Sequence, residues 1–189
     1  MSSIADSHPP PGSERDSTVR QPRTAWAWAF ATFFGIGYLK PGPGTWGSVA
    51  ALLTWLAAAL LPYSRPSGWH LAFGTALAAA AALAVGIPVA TIVERQSAGP
   101  DGMASDPQFI VLDEVVGQWI ALIGITADWK HAVVSLVLFR AFDITKPPPA
   151  RQFDRMHGGF GIMMDDVAAG VYALLLGHLL RSHVLTRWF

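Results

Sequence analysis

Five acidic side chains and two basic ones have the types and spacing for chemistry. Asp113 and Glu114 are adjacent, as are Asp165 and Asp166, and Asp143 stands between the pairs, three residues after Arg140 and three before Lys146. They flank strongly apolar runs in a chain with only 14% charged residues. Charge beside apolar sequence needs a partner, a metal or water, because an unpaired buried charge is very costly. Hard oxygen donors suit Mg²⁺, which takes a few carboxylates together with substrate phosphate oxygens. Arg140 and Lys146 have the charge and the donors to neutralise the remaining phosphate oxygens. The chemistry expected is metal-assisted phosphoryl chemistry at a membrane surface.

Other chemistries fit less well. The chain has no cysteine, which removes thiolate nucleophiles, thiolate metal sites and disulfides. It has neither a Gly-x-Ser-x-Gly elbow nor a His-Glu-x-x-His pair. A formal net charge of zero argues against nucleic acid as a partner. Gly35 to Ser48 is dense in glycine and proline, so it reads as irregular. It is no P-loop, since no GK[ST] closes it, and no dinucleotide fingerprint, since Lys40 takes the third glycine's place. Thr45 or Ser48 can cap the helix that follows, leaving backbone N–H groups that favour a phosphate; the alternative is an ordinary connecting loop. Blander readings exist for the acids too. Asp113 and Glu114 can be an exposed pair, Asp165 and Asp166 can complement a helix dipole, and His157 reads as a polar loop residue.

The elements that must position these groups are helical. Hydrophobic residues make up 52% of the 189, alternation is rare, and Ala and Leu dominate, so the fold class is all-α. Residues 1–24 read as a disordered polar tail without a signal-peptide layout, and residues 25–189 as one domain. Arg15, Arg20 and Arg23 suit a cytoplasmic N-terminus, and Arg181 and Arg187 a cytoplasmic tail. Ala25 to Phe34 carries two tryptophans and three phenylalanines, which fit either the lipid headgroup level or a core helix. Val49 to Leu61 is marginal for spanning a ~30 Å hydrocarbon layer, whereas Trp69 to Val93 is long enough, with a kink at Pro88. Glu94 to Gly102 is expected to be a polar loop. Asp106-Pro107 opens a helix carrying Asp113, Glu114 and Gly117. Adjacent residues diverge by about 100°, so both acids reach one ion only at the helix shoulder, or with a second metal present. Ile123 to Asp128 reads as a turn. Val133 to Asp143 is a further helix that permits an Arg140–Asp143 ion pair, stopped by Lys146 and Pro147 to Pro149. Gly158 to Gly161 is expected as a turn, with Asp165 and Asp166 at the start of a helix over Val167 to Leu180.

Four blocks resemble the phosphatidylglycerophosphatase A family. They are Pro41-Gly42-Pro43-Gly44-Thr45-Trp46-Gly47-Ser48; Asp106-Pro107 with Ile110 to Gly117; Phe139 to Pro147; and Gly158 to Gly170. With their order and spacing they cover Phe34 to about Leu180. The resemblance implies a Mg²⁺-dependent lipid phosphatase that hydrolyses phosphatidylglycerophosphate to phosphatidylglycerol and phosphate. It implies an inner-membrane protein, multi-pass or tightly associated, acting on the cytoplasmic side, and a compact helical bundle around a central buried helix. Asp113, Glu114, Asp143, Asp165 and Asp166 would form the acidic set, some binding Mg²⁺ and one activating water. Arg140 and Lys146 would hold the phosphate, with Thr45 and Ser48 adding contacts. Two other functions share these residues: a membrane protein whose intramembrane carboxylates form an ion path, and a soluble phosphatase of a non-lipid phosphomonoester.

Overall fold

The computed structural model describes residues 22–60, 68–98 and 108–183. Most of the expected polar tail and the Asp106-Pro107 pair lie outside them. The described residues form α1 (Ala25–Ala31), a 3-10 turn (Ile36–Tyr38), α2 (Pro43–Leu60), α3 (Gly68–Ser97), α4 (Leu112–Ala121), α5 (Trp129–Thr145), α6 (Ala150–Phe153) and α7 (Gly159–His183). No strand occurs among them, as the all-α expectation requires.

α4 is the central helix. Its Leu112, Val115, Val116, Gly117, Gln118 and Ala121 are buried, and it packs against α2, α3, α5 and α7. Val115 and Val116 share one core with Ala27 and Trp28 of α1, Val89, Ala90 and Val93 of α3, and Met163 of α7. A second core joins Leu52 and Trp55 of α2 to Leu122, Ile125 and Ala132. Polar tips inside it are satisfied: the Trp119 indole donates to the Ala51 carbonyl at 3.1 Å, and the Trp55 indole to Thr75 Oγ1 at 2.9 Å. α4 and α7 meet backbone to backbone. A Cβ on Gly170 would lie 2.4 Å from the Gly117 carbonyl oxygen, a contact only glycine permits. This approach brings the Asp113-Glu114 end of α4 beside Asp165 and Asp166.

Several boundaries differ from the sequence reading, for one physical reason. α2 starts at Pro43, so Thr45 and Ser48 lie inside the helix and neither caps it. Gly42, at φ +70°, makes the turn, and its carbonyl accepts from the Thr45 and Trp46 amides. Regular helix takes over within the glycine-rich stretch because those glycines serve packing: a Cβ on Gly44 would collide with Glu114 Oε1. Likewise α7 starts at Gly159, where a Cβ would meet the Ile87 carbonyl at 2.1 Å. Asp165 and Asp166 are thus in its second turn rather than its first. α3 runs to Ser97, which makes Glu94 helical. α4 begins at Leu112, well after the expected Asp106-Pro107 start. α5 ends where expected: Lys146 takes the left-handed conformation, and its amide donates to the Phe142 carbonyl at 2.8 Å before the prolines.

α2, α3 and α7 are long and apolar enough to cross a membrane. Phe73 and Leu77 of α3, and Leu175 and Leu179 of α7, point outward and are more than half exposed. Large aliphatic and aromatic side chains facing out in such helices are the surface expected toward lipid.

Candidate active site

One end of the bundle holds a cleft of about 500 Å³, formed where α2, α4 and α7 begin and where α3 and α5 end. Its walls carry Asp113 and Glu114 from α4, Arg140 and Asp143 from α5, Lys146 from the end of α5, and Asp165 and Asp166 from α7. Every acid singled out in the sequence, and both cations, therefore face one space. Thr45 and Ser48 do not line it. Thr45 is exposed in the first turn of α2, and the buried Ser48 hydroxyl donates back to the Gly44 carbonyl at 2.9 Å. Gly42, Pro43 and Gly44 are what that block contributes to the wall.

Asp113, Glu114 and Asp166 each offer a carboxylate oxygen, all within 4.8 Å of one another. The two adjacent acids of α4 reach a common point because they stand in its first turn, at the helix shoulder. Their surroundings disfavour the charged form of both. Burial, followed by the neighbouring Glu114 carboxylate, raises the pKa of Asp113 well above the ordinary range. Burial is also the largest influence on Glu114, which is pushed up to about 8, with Asp166 and Asp143 adding to the rise. Glu114 Oε2 is buried without a hydrogen-bond partner among the described residues.

The cations are held by acids. Arg140 Nη1 lies 2.5 Å from Asp143 Oδ2, one helical turn on, and 4.0 Å from Glu114 Oε1. These are charge contacts rather than aligned hydrogen bonds, since Nη1 and Nε have no aligned acceptor among the described residues. Lys146 Nζ donates to Asp165 Oδ2 at 2.8 Å and to Asp154 Oδ1. Burial works against the lysine charge, but the two carboxylates outweigh it and raise its pKa above the usual value. Among the described residues the wall carries seven carboxylates, from Glu94, Asp113, Glu114, Asp143, Asp154, Asp165 and Asp166, against three cationic side chains, Arg140, Lys146 and Arg155. Such a surplus in a partly buried space is costly unless it is neutralised.

Glu94, Asp154 and Arg155 belong to the wall although the sequence reading gave them no role. The signal available was the run of charges at residues 151–157, directly after the prolines that end α5.

Fold and site together define an all-α membrane protein with an acidic cleft at one end of its apolar helices. The chain belongs to the phosphatidylglycerophosphatase A family, whose model matches residues 29–181. It is 36% identical over 155 residues to Phosphatidylglycerophosphatase A of Escherichia coli strain K12, covering 81% of this chain and 82% of that one. It is 34% identical over 158 residues to Phosphatidylglycerophosphatase A of Haemophilus influenzae, covering 77% and 83%. A Bacteroides thetaiotaomicron protein named as a putative phosphatidylinositol-3-phosphatase is 36% identical over 149 residues, covering 77% and 87%. No solved structure matches the chain.

Proposed function

We propose that this protein is a Mg²⁺-dependent phosphatase of phosphatidylglycerophosphate, working at the cytoplasmic face of the inner membrane. One observation carries the reading: in a chain of this family, Asp113, Glu114 and Asp166 converge within 4.8 Å in the cleft that also holds Arg140 and Lys146. A cation path explains the carboxylates but has no use for the two cations. A soluble phosphatase has no use for three helices of membrane-spanning length.

The donor set fits Mg²⁺. It is all oxygen, it is in surplus over the local positive charge, and it includes a buried carboxylate oxygen without a partner among the described residues, Glu114 Oε2. Asp113, Glu114 and Asp166 would hold the ion, with Asp143 and Asp165 beside them. When bound, it supplies positive charge against the negative charge that builds on the transferring phosphoryl group. The chain's own residues do the rest. Arg140 and Lys146 orient the phosphate through charge-assisted hydrogen bonds, and the acids that grip them fix their direction beforehand. Asp143 and Asp165 stand within reach of the same space and can take a proton from water or return one to the leaving alcohol.

The test uses purified protein in mixed micelles. Phosphate release from phosphatidylglycerophosphate is expected with Mg²⁺ and is expected to vanish with EDTA. Asp113→Asn and Asp166→Asn should each lower kcat/KM by about a hundredfold or more. Full activity in both variants removes the assignment. Phosphatidylinositol 3-phosphate belongs in the same assay, because one relative is named for that lipid. Faster release from it would move the substrate while leaving the site in place.

A further inference from the structure

The cleft wall carries two further donors besides Arg140 and Lys146. Arg140 and Lys146 are each flanked by two acids. Arg155 and His157 line the same cleft, are exposed, and make no ion pair among the described residues. They sit in the connection between α6 and α7, which is tied down on both sides of them. Before them, Asp154 is bound by Lys146. After them, the Gly158 amide donates to Glu94 Oε1 at 3.2 Å, and the Gly159 amide to Thr91 Oγ1 at 3.1 Å. Two donors on a short strap anchored at both ends are pre-organised for an anion.

Depth gives the order of groups along a ligand. Asp166 is 3% exposed at the inner end, whereas Arg155 and His157 stand at the outer end. We infer that Arg155 and His157 form a second anion subsite, which takes the phosphodiester of a lipid carrying two phosphates while its terminal phosphomonoester occupies the acid-lined end. The subsite rests on the function proposed above and sharpens it. It makes the enzyme selective for a glycerophospholipid with a phosphodiester between the diacylglycerol and the scissile phosphate, over a lipid such as phosphatidic acid, whose single phosphate is the scissile one.

Two arms test this. In the first, kcat/KM is measured with phosphatidylglycerophosphate and with phosphatidic acid, for the wild type, Arg155→Ala, His157→Ala and Arg155→Lys. Loss of a charge-assisted contact is expected to lower the ratio of the two constants about tenfold in Arg155→Ala, with partial recovery in Arg155→Lys. An unchanged ratio, or equal loss on both lipids, overturns the subsite. In the second arm, calorimetry compares the deacylated two-phosphate headgroup with glycerol 3-phosphate on the full-length protein with Mg²⁺. The wild type should prefer the former, and Arg155→Ala should lose that preference. A preference that depends on Arg155 in a protein releasing phosphate from neither lipid keeps the subsite and sinks the proposed activity. No preference in the wild type sinks the subsite, whatever the activity.

Discussion

Glu114 has 15% of its side chain exposed and shares its corner with Asp113 and Asp166. Its pKa of about 8 lies above the unfolded value of 4.5, and that of Asp113 is raised as well. The sign of the linkage follows. The native, metal-free state binds more protons than the unfolded one between these values, so stability falls as pH rises from about 4.5 towards 8. Chelated protein is therefore expected to lose thermal stability over that range, and Mg²⁺ to raise Tm most at the alkaline end. Melting curves at pH 5 and 8, with and without Mg²⁺, check this; a Mg²⁺ effect larger at pH 5 would contradict it. At this scale the sequence was informative where chemistry and background disagreed. Paired acids amid Ile, Val and Leu stood out because burial of a charge demands a reason. Ser48 was misleading because a hydroxyl near a helix start can cap it or bond backwards within it, and only the true start at Pro43 decides. Glu94 gave no signal because a charge in a polar stretch needs no explanation, and the charge run that holds Arg155 is a weak one for the same reason.

Helices place the acids, and the glycines decide how closely helices approach. Gly117 and Gly170 let α4 and α7 touch, and Asp166 lies one turn before Gly170 on α7. A methyl group at residue 170 would press on the Gly117 carbonyl at 2.4 Å, which backbone cannot yield without moving a helix. Gly170→Ala is expected to destabilise the fold by about 1–3 kcal/mol. It should also weaken Mg²⁺ binding, because it moves Asp166 away from Asp113 and Glu114. Gly74→Ala is the control. Among the described residues nothing lies within 4 Å of a Cβ at that position on α3, so it should gain up to about 1 kcal/mol from helix propensity. Denaturation and Mg²⁺ titration of both variants read the two effects; unchanged Mg²⁺ affinity in Gly170→Ala would separate the α4–α7 contact from the site. The same glycines explain which boundaries the sequence hid. The middles of α2, α3, α5 and α7 were legible from apolar length. Their glycine-rich starts at Pro43 and Gly159 read as loops, because a glycine used for freedom and one used for close packing look alike in one dimension.

The whole molecule has a polarity that the separate helices do not show. The N-terminal ends of α2 and α7 and the C-terminal end of α3 all border the cleft. Glu94 is in the cleft wall, and Gly68 lies 26 residues back along α3, about 39 Å away at 1.5 Å per residue. That distance exceeds the ~30 Å of a hydrocarbon core. If α2, α3 and α7 cross, Gly68 and Arg151, in the short helix α6 just before the strap, must lie on opposite sides. The site would then meet substrate headgroups at one leaflet only, with the outward side chains of α3 and α7 in the lipid beneath it. The chain has no cysteine, so single-cysteine variants report position without background. Arg151→Cys and Gly68→Cys both fall at exposed positions outside the core. In intact spheroplasts, a membrane-impermeant maleimide is expected to label Gly68→Cys and to reach Arg151→Cys only after lysis. That pattern would set the cleft on the cytoplasmic side. The reverse pattern would keep the crossing and turn the cleft outward. Equal labelling from one side would mean that the bundle lies along the bilayer surface, its apolar helices parallel to the membrane rather than through it.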